Sequence, residues 1–244
     1  MEAKILQNEN PKKDIRVSRK EMKYMVDLED RLYLISALNK ILIPDVYGDY
    51  NGYSVRTLYL DGVDNQDYMS KKNKQDFRKR MRIRIYKPTD ELAKFEIKRK
   101  FHGRQVKDSV LIKKEDVIEI QKGNFEPLLN YDSPTARMGY ELGHSMGYRP
   151  VSVVEYKRRA YTHPSFNTRV TLDNMLRYKS IVNDLYAEDI NFNYAMPLRN
   201  TILEVKFESY LFESIQKVLA NCNLQKCKIS KFGSSRALLE EYYG

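Results

Sequence analysis

The clearest pattern along the chain is an alternation of period two. From Phe77 to Lys87, Arg80, Arg82 and Arg84 alternate with Met81, Ile83 and Ile85, which predicts a strand with one apolar face and one guanidinium face. After a turn at Pro88-Thr89-Asp90, Leu92 to Phe101 repeats the device: Lys94, Glu96, Lys98 and Lys100 alternate with Phe95 and Ile97. The two runs read as a hairpin. Further strands are predicted over Ile15 to Met25, Tyr53 to Leu60, Val106 to Ile112, Val151 to Tyr161, Thr168 to Asp173 and Ile202 to Phe207. Helical spacing takes over from Asp27 to Ile43, where Leu28, Leu32, Leu34, Ile35, Leu38, Ile41 and Leu42 recur. Asp27 reads as the N-cap there, and Pro44 closes the segment. Shorter helices are expected over Asn65 to Lys72, in pieces from Lys113 to about Gly147, over Tyr210 to Asn221 and over Arg236 to Tyr243. Gly139, Gly143 and Gly147 recur every fourth residue, which predicts close helix packing.

Several strands carry acid and base on one face: Glu21 with Lys23, Glu96 with Lys98, and Glu204 with Lys206, besides Arg169, Thr171 and Asp173. An open sheet with one wet face accounts for such alternation in any single strand. Its recurrence in at least four strands, with Arg and Lys preferred, favours charged faces that line a shared interior. The expected fold is therefore α+β, an antiparallel β-barrel forming a charged tunnel flanked by helices. In Val151 to Tyr161, parity leaves two inward sets open, Glu155, Lys157 and Arg159 or Tyr156 and Arg158. No linker, low-complexity tract or clean repeat divides the chain, so residues 15–244 are expected to form one domain behind a flexible polar segment, residues 1–14.

Composition narrows the chemistry. The 244 residues include 43 Lys and Arg against 33 Asp and Glu, a net charge of +10, which points to a polyanionic partner. Three like charges about 7 Å apart along one strand repel unless an anion or interleaved carboxylates face them. Nucleic acid is not the expected anion, since no base-stacking motif or groove-reading helix is evident and acids interrupt the basic faces. Arg suits bidentate phosphate contacts and Lys supplies mobile point charges, while a lone Glu suits a divalent cation that bridges phosphate oxygens. No run approaches the ~18 apolar residues of a spanning helix, and the N-terminus lacks a signal-peptide apolar core, so a cytoplasmic protein is expected. Cys222 and Cys227 have no nearby His and read as reduced structural thiols.

In order along the chain stand Glu21-x-Lys23-Tyr24, Thr57-Leu58-Tyr59-Leu60-Asp61, Arg82-x-Arg84-x-Tyr86 and Glu96-x-Lys98. Tyr156-x-Arg158-x-Ala160-Tyr161, Arg169-Val170-Thr171-Leu172-Asp173, Leu203-Glu204-Val205-Lys206 and Lys228-x-Ser230-Lys231-Phe232 follow. This ordered set, over about residues 16 to 236, resembles the VTC domain, whose members are polyphosphate polymerases within the triphosphate tunnel (CYTH-like) superfamily. The resemblance implies transfer of the ATP γ-phosphate onto a growing inorganic polyphosphate chain, with Mn²⁺ or Mg²⁺, in a tunnel open at both ends. It makes Lys23, Arg82, Arg84, Lys98, Arg158, Arg169, Lys228 and Lys231 phosphate ligands, with Tyr156 and Ser230 as hydrogen-bonding groups and Glu204 as the metal ligand. Lys71 and Lys107 fall near further basic positions, and Arg80 shares the face of Arg82 and Arg84 nearer the mouth, where it attracts substrate. A separate membrane protein partner, at the inner face of a membrane, is implied if the product is translocated. Two alternatives stand beside this one. Hydrolase relatives carry E-x-E-x-K in the first strand, where this chain has Arg19 before Glu21-x-Lys23, and a binding module without catalysis would also account for the charge.

Overall fold

The computed structural model describes residues 19–49, 51–102, 104–164, 167–180 and 184–243. The segment expected to be flexible, residues 1–14, and the first four residues of the first predicted strand lie outside the described residues. Strand β1 (Arg19–Val26) leads into helix α1 (Leu28–Ile41), where the Asp27 carboxylate accepts from the Asp30 backbone N–H at 2.9 Å as the expected N-cap. There follow β2 (Ile43–Pro44), β3 (Tyr53–Asp61), α2 (Gln66–Lys72), β4 (Arg78–Ile85), β5 (Leu92–Phe101) and β6 (Arg104–Lys113). Helices α3 (Lys114–Gln121) and α4 (Pro134–Met146) flank a short 3₁₀ turn, Glu126–Asn130. The chain ends with β7 (Arg149–His163), β8 (Thr168–Lys179), β9 (Asn193–Tyr194), β10 (Thr201–Glu208), α5 (Glu213–Ala220), β11 (Gln225–Lys226) and α6 (Lys231–Tyr243).

The fold is α+β, with an antiparallel sheet in the order β11-β1-β10-β8-β7-β3-β4-β5-β6. Its outward face follows the apolar parity of the strands. Met81, Ile83, Ile85, Phe95 and Ile97 pack against Val117, Ile120, Leu128 and Ala136 of the α3–α4 region. On the other flank Val170, Leu172, Leu203 and Val205 meet Leu34 and Leu38 of α1 and Ile215 and Leu219 of α5. The charged parity is left to the inside of the curl. One feature departs from the expected barrel: among the described residues no ladder joins β6 to β11, so hydrogen bonding does not close the sheet. Strand β11 is two residues long and presents no pairing edge of useful length.

A third apolar cluster lies inside. Tyr59, Tyr68, Tyr156, Leu176, Tyr178 and Ile202 surround Phe232 of α6, and the Ser152 and Ser235 hydroxyls share a hydrogen bond at 3.1 Å. These residues come from the end of β3, the start of β7, the end of β8 and the start of β10, which together form one end of the interior. That end is filled by α6 and α2. The expected tunnel open at both ends is thus corrected: a fully buried Phe232 in an aromatic cluster stabilises the filled end by about 2 kcal/mol or more.

Local geometry explains the remaining differences from the expected elements. Helix α5 starts at Glu213 instead of Tyr210 because Ser209 has φ 60 and the Tyr210 N–H turns back to the Glu208 carbonyl at 2.6 Å. Strand β8 runs past Asp173 to Lys179 through a left-handed Met175 (φ 52). The glycine face of α4 is borne out, since a Cβ on Gly143 would lie 2.2 Å from the Phe125 ring and one on Gly139 2.5 Å from Phe95.

Candidate functional site

Register assembles the site. Lys23 lies opposite Glu204, Glu204 opposite Thr171, and Asp173 opposite Arg158. Arg158 is opposite Tyr53, Tyr59 opposite Arg82, Arg82 opposite Glu96, and Arg80 opposite Lys98, which faces Lys107. A period of two then turns all of these side chains to one face. Wall to wall, Lys98 of β5 senses Glu21, Lys23 and Lys206 of the opposite flank, and Lys71 of α2 senses Lys23. The parity left open in β7 resolves to Tyr156 and Arg158 inward, while Glu155 faces outward to Arg56 (2.6 Å) and Arg177.

Two fully buried carboxylates organise the cations. Glu96 accepts from Arg82 Nε at 2.7 Å and Lys107 Nζ at 3.1 Å, with Arg84 at 3.5 Å. Asp173 takes both Nε and a terminal nitrogen of Arg158 at 2.7 Å, and Lys231 Nζ at 2.6 Å. Such bidentate contacts fix the plane of the guanidinium. Burial raises both carboxyls, yet the cations outweigh it: Glu96 is held down to about 2 by Arg82, Arg84 and Lys107, and Asp173 well below its usual range by Arg158 and Lys231. At the opposite end from α6, Arg169 pairs with Asp45 at 2.7 Å, and Asp45 also accepts from the Tyr53 hydroxyl at 3.2 Å. The Tyr156 ring lies beneath Lys231 (4.6 Å) and Arg158 (5.2 Å).

Lys71, Arg80 and Lys98 have no carboxylate within ion-pair distance among the described residues. Arg80 lies over the Phe232 ring at 5.0 Å. Lys71 reaches the interior because Asp61 receives the backbone N–H groups of Asp67 (2.9 Å) and Tyr68 (3.0 Å), fixing the start of α2. The bare Cα of Gly233 leaves room for its ammonium, since a Cβ there would lie 2.0 Å from Lys71 Nζ. Burial, reinforced by Arg80 and Lys23, lowers Lys71 to about 8. Burial lowers Lys98 to about 8 as well, against the opposing pull of Glu21. Ser230 caps α6 by accepting from the Gly233 N–H at 3.3 Å, which turns the helix N-terminus and Lys231 toward the interior. Lys228 is exposed in the preceding loop, which the Cys227 N–H ties to the Lys23 carbonyl of β1 at 3.0 Å.

Were a divalent cation to bind here, Glu204 and Glu21 would be the carboxylates to hold it. Their carboxylates approach within hydrogen-bond reach of each other, and both contact Lys23, at 3.8 and 2.8 Å. Burial raises Glu204, but Lys206 (2.8 Å) and Lys23 hold it ionised with a pKa of about 2. No group of three or more ligand side chains occurs among the described residues. Two carboxylates suit Mg²⁺ or Mn²⁺ when substrate phosphates complete the shell, so the residues fit the ion. Sequence reasoning did not single out Glu21, Glu96, Asp173 or Asp45 as site residues. For the first three the signal was there, because each shares the parity of the basic residues. Cys222 and Cys227 are free thiols, as expected.

The VTC domain family matches residues 18–240, and no curated protein matches the chain. Among solved structures, the Hippeastrum protein HpAC1, for which a dominant triphosphatase activity is described, is 15% identical. It superposes with a TM-score of 0.54 over 89% of this chain and 96% of that one. A Bacillus halodurans protein named as a candidate adenylate cyclase is 14% identical, with a TM-score of 0.52 over 87% of this chain and 95% of that one. At these identities the likeness is one of fold.

Proposed function

Because the chain belongs to the VTC domain family, we propose that its interior binds ATP and inorganic polyphosphate and transfers the ATP γ-phosphate to the end of the polyphosphate chain. The observation that carries this reading is the state of the interior carboxylates. Glu96 and Asp173 are each held by two or more cations, and Glu204 is paired with Lys206 and Lys23. Such groups are poor bases for activating water. A terminal phosphate oxygen needs no base, since it is already ionised near neutral pH.

In the proposed reaction that oxygen forms a bond to the γ-phosphorus, the bond from the γ-phosphorus to the β–γ bridging oxygen breaks, and ADP leaves with the electron pair. What the protein must do is bring two polyanions together. Arg82, Arg84, Arg158 and Arg169 offer planar donors, Lys23, Lys98, Lys228 and Lys231 offer point charges, and Tyr156 and Ser230 complete the polar lining. Lys71, Arg80 and Lys107 extend the field along the interior. A bound Mn²⁺ or Mg²⁺, held by Glu204 and Glu21, would neutralise charge on the phosphates. ATP as donor fits a cytoplasmic setting. No helix among the described residues is long and apolar enough to span a membrane, and delivery of product across one is proposed to involve a separate membrane protein.

Purified protein given ATP and Mn²⁺ is expected to form long phosphate chains on a urea gel, and Glu204→Gln or Lys228→Ala to reduce them at least about a hundredfold. One observation favours a second reading: with α6 filling one end, a short triphosphate fits the interior as well as a long chain does, and the reaction is then hydrolysis. Orthophosphate as sole product would establish that reading, and tight polyphosphate binding without turnover would reduce the protein to a binding module.

A further inference from the structure

Tyr59 has a role that neither the strand parity nor the ion pairs bring out. It lies on the inner face of β3, opposite Arg82 of β4 on one side and Ser152 of β7 on the other, and is 3% exposed. Its ring packs on Phe232 with centroids 4.9 Å apart, and Phe232 in turn lies under Arg80 and edge-on to Tyr68 at 6.2 Å. Phenylalanine would serve that packing equally well. Yet the position carries a hydroxyl, and among the described residues no group donates to it or accepts from it. Unlike the hydroxyls of Tyr148, Tyr161 and Tyr186, which are wholly buried without a partner, that of Tyr59 keeps accessible surface on the inner face, where a ligand atom can reach it.

The charged groups facing this hydroxyl are Arg80, Arg82 and Arg84 of β4 and Lys231 of α6. Strand β7 adds the neutral Ser152, and α2 adds Tyr68. Guanidinium and ammonium groups are donors only, so none can accept the Tyr59 proton. What is missing is an acceptor, in a place that four cations make favourable for an anion.

We infer that Tyr59 is a substrate-binding residue whose O–H donates to an oxygen of the phosphate chain lying between Arg82 and Lys231. This rests on the reading of the interior as a triphosphate site. It adds a further neutral donor beside Tyr156 and Ser230 in a mostly charged lining, and a neutral donor discriminates by direction where ammonium groups do not. The electrostatics agree: burial raises the phenol, but Arg82, Arg80, Arg84 and Lys231 outweigh it and bring it below its ordinary value. Tyr53, Tyr131, Tyr148, Tyr161 and Tyr186 are all shifted upward.

Tyr59→Phe isolates the hydroxyl, because the ring contact with Phe232 survives. Inorganic tripolyphosphate is the probe. By calorimetry the variant is expected to bind it about tenfold or more weakly than the wild-type chain, with a melting temperature within about 2 °C. In the wild type, the tyrosinate ultraviolet band that appears first as pH rises is expected to shift to higher pH when tripolyphosphate is bound. That first step is expected to be absent from the variant. Equal affinities in the two proteins, or a first titration step that tripolyphosphate leaves unmoved, overturn the inference about Tyr59 alone. A wild-type chain that fails to bind tripolyphosphate overturns the triphosphate reading and this inference with it. Should the variant fail to fold, the wild-type titration decides the matter.

Discussion

Glu96 and Asp173 each gather cations from two elements in a fully buried setting, and taking away one carboxylate leaves its partners buried and uncompensated. Glu96→Gln is therefore expected to cost about 3 kcal/mol and to lower the melting temperature by roughly 5–10 °C, as well as to reduce turnover. An exposed pair such as Lys122 with Glu119 contributes little by comparison, because water and salt screen it. The same carboxyls set the acid limit. Folding depresses both, so their contribution is complete above the unfolded values, 4.5 for Glu96 and 3.8 for Asp173, and is lost as pH falls, for Glu96 toward about 2 and for Asp173 lower still. Circular dichroism across that range is expected to show the loss of structure. For Lys71 and Lys98 the sign is reversed. Each is lowered from 10.5 to about 8, so the unfolded chain keeps protons that the native one sheds, and the two lysines oppose folding below about pH 8 and cease to do so toward pH 10.5. A bound polyphosphate would restore those protons. Calorimetry near pH 8, in buffers of different ionisation enthalpy, should register net proton uptake when tripolyphosphate binds, and none if the two lysines do not meet it. Parity made Arg82, Arg84 and Lys98 legible in the sequence. It failed in β7 because Glu155, Lys157 and Arg159 carry charge on the outer face too, and the partners that satisfy Glu155, Arg56 and Arg177, are remote in sequence.

Between elements, two glycines separate stability from binding. Alanine at Gly143 gains up to about 1 kcal/mol of helix propensity, but its methyl would lie 2.2 Å from the Phe125 ring, a buried neighbour with nowhere to go. A net loss of about 1–3 kcal/mol is expected in a thermal melt. Alanine at Gly233 meets only the end of a flexible lysine. The melt should then stay within about 1 kcal/mol of wild type while tripolyphosphate affinity falls, because Lys71 is pushed off its place. Equal affinity would show that Lys71 does not reach the ligand. The helix of residues 28–41 and its cap could be read from periodicity, and so could the close packing of α4. The later half of β8 could not, since Asn174 and a left-handed Met175 interrupt the pattern just where the strand continues. That α6 packs inside the sheet was equally hidden, because Phe232 beside Lys231 gives no periodic signal.

At the scale of the molecule, the curl of the sheet turns a string of half-charged strands into an interior. Alternation in the sequence was enough to say that the charges share a face. Closure was not legible in the same way, because it depends on how residues 19–26 meet residues 104–113, and no spacing within either strand encodes that. The net charge of +10 likewise overstates how bare the cations are. Arg82, Arg84, Arg158, Arg169, Lys23 and Lys231 are already paired with Glu96, Asp173, Asp45, Glu21 or Glu204 before any ligand arrives. The interior thus carries its own competing anions. A phosphate that arrives would share Arg82, Arg84, Arg158 and Arg169 with carboxylates that stay where they are, so those grips would be weaker than the cation count implies. As a phosphate departs, the paired cations would fall back onto fixed partners instead of being stranded. Under the proposed function, release would be hastened by the same contacts that limit affinity, and a polyanion would be handed from one set of donors to the next without being held too tightly to move.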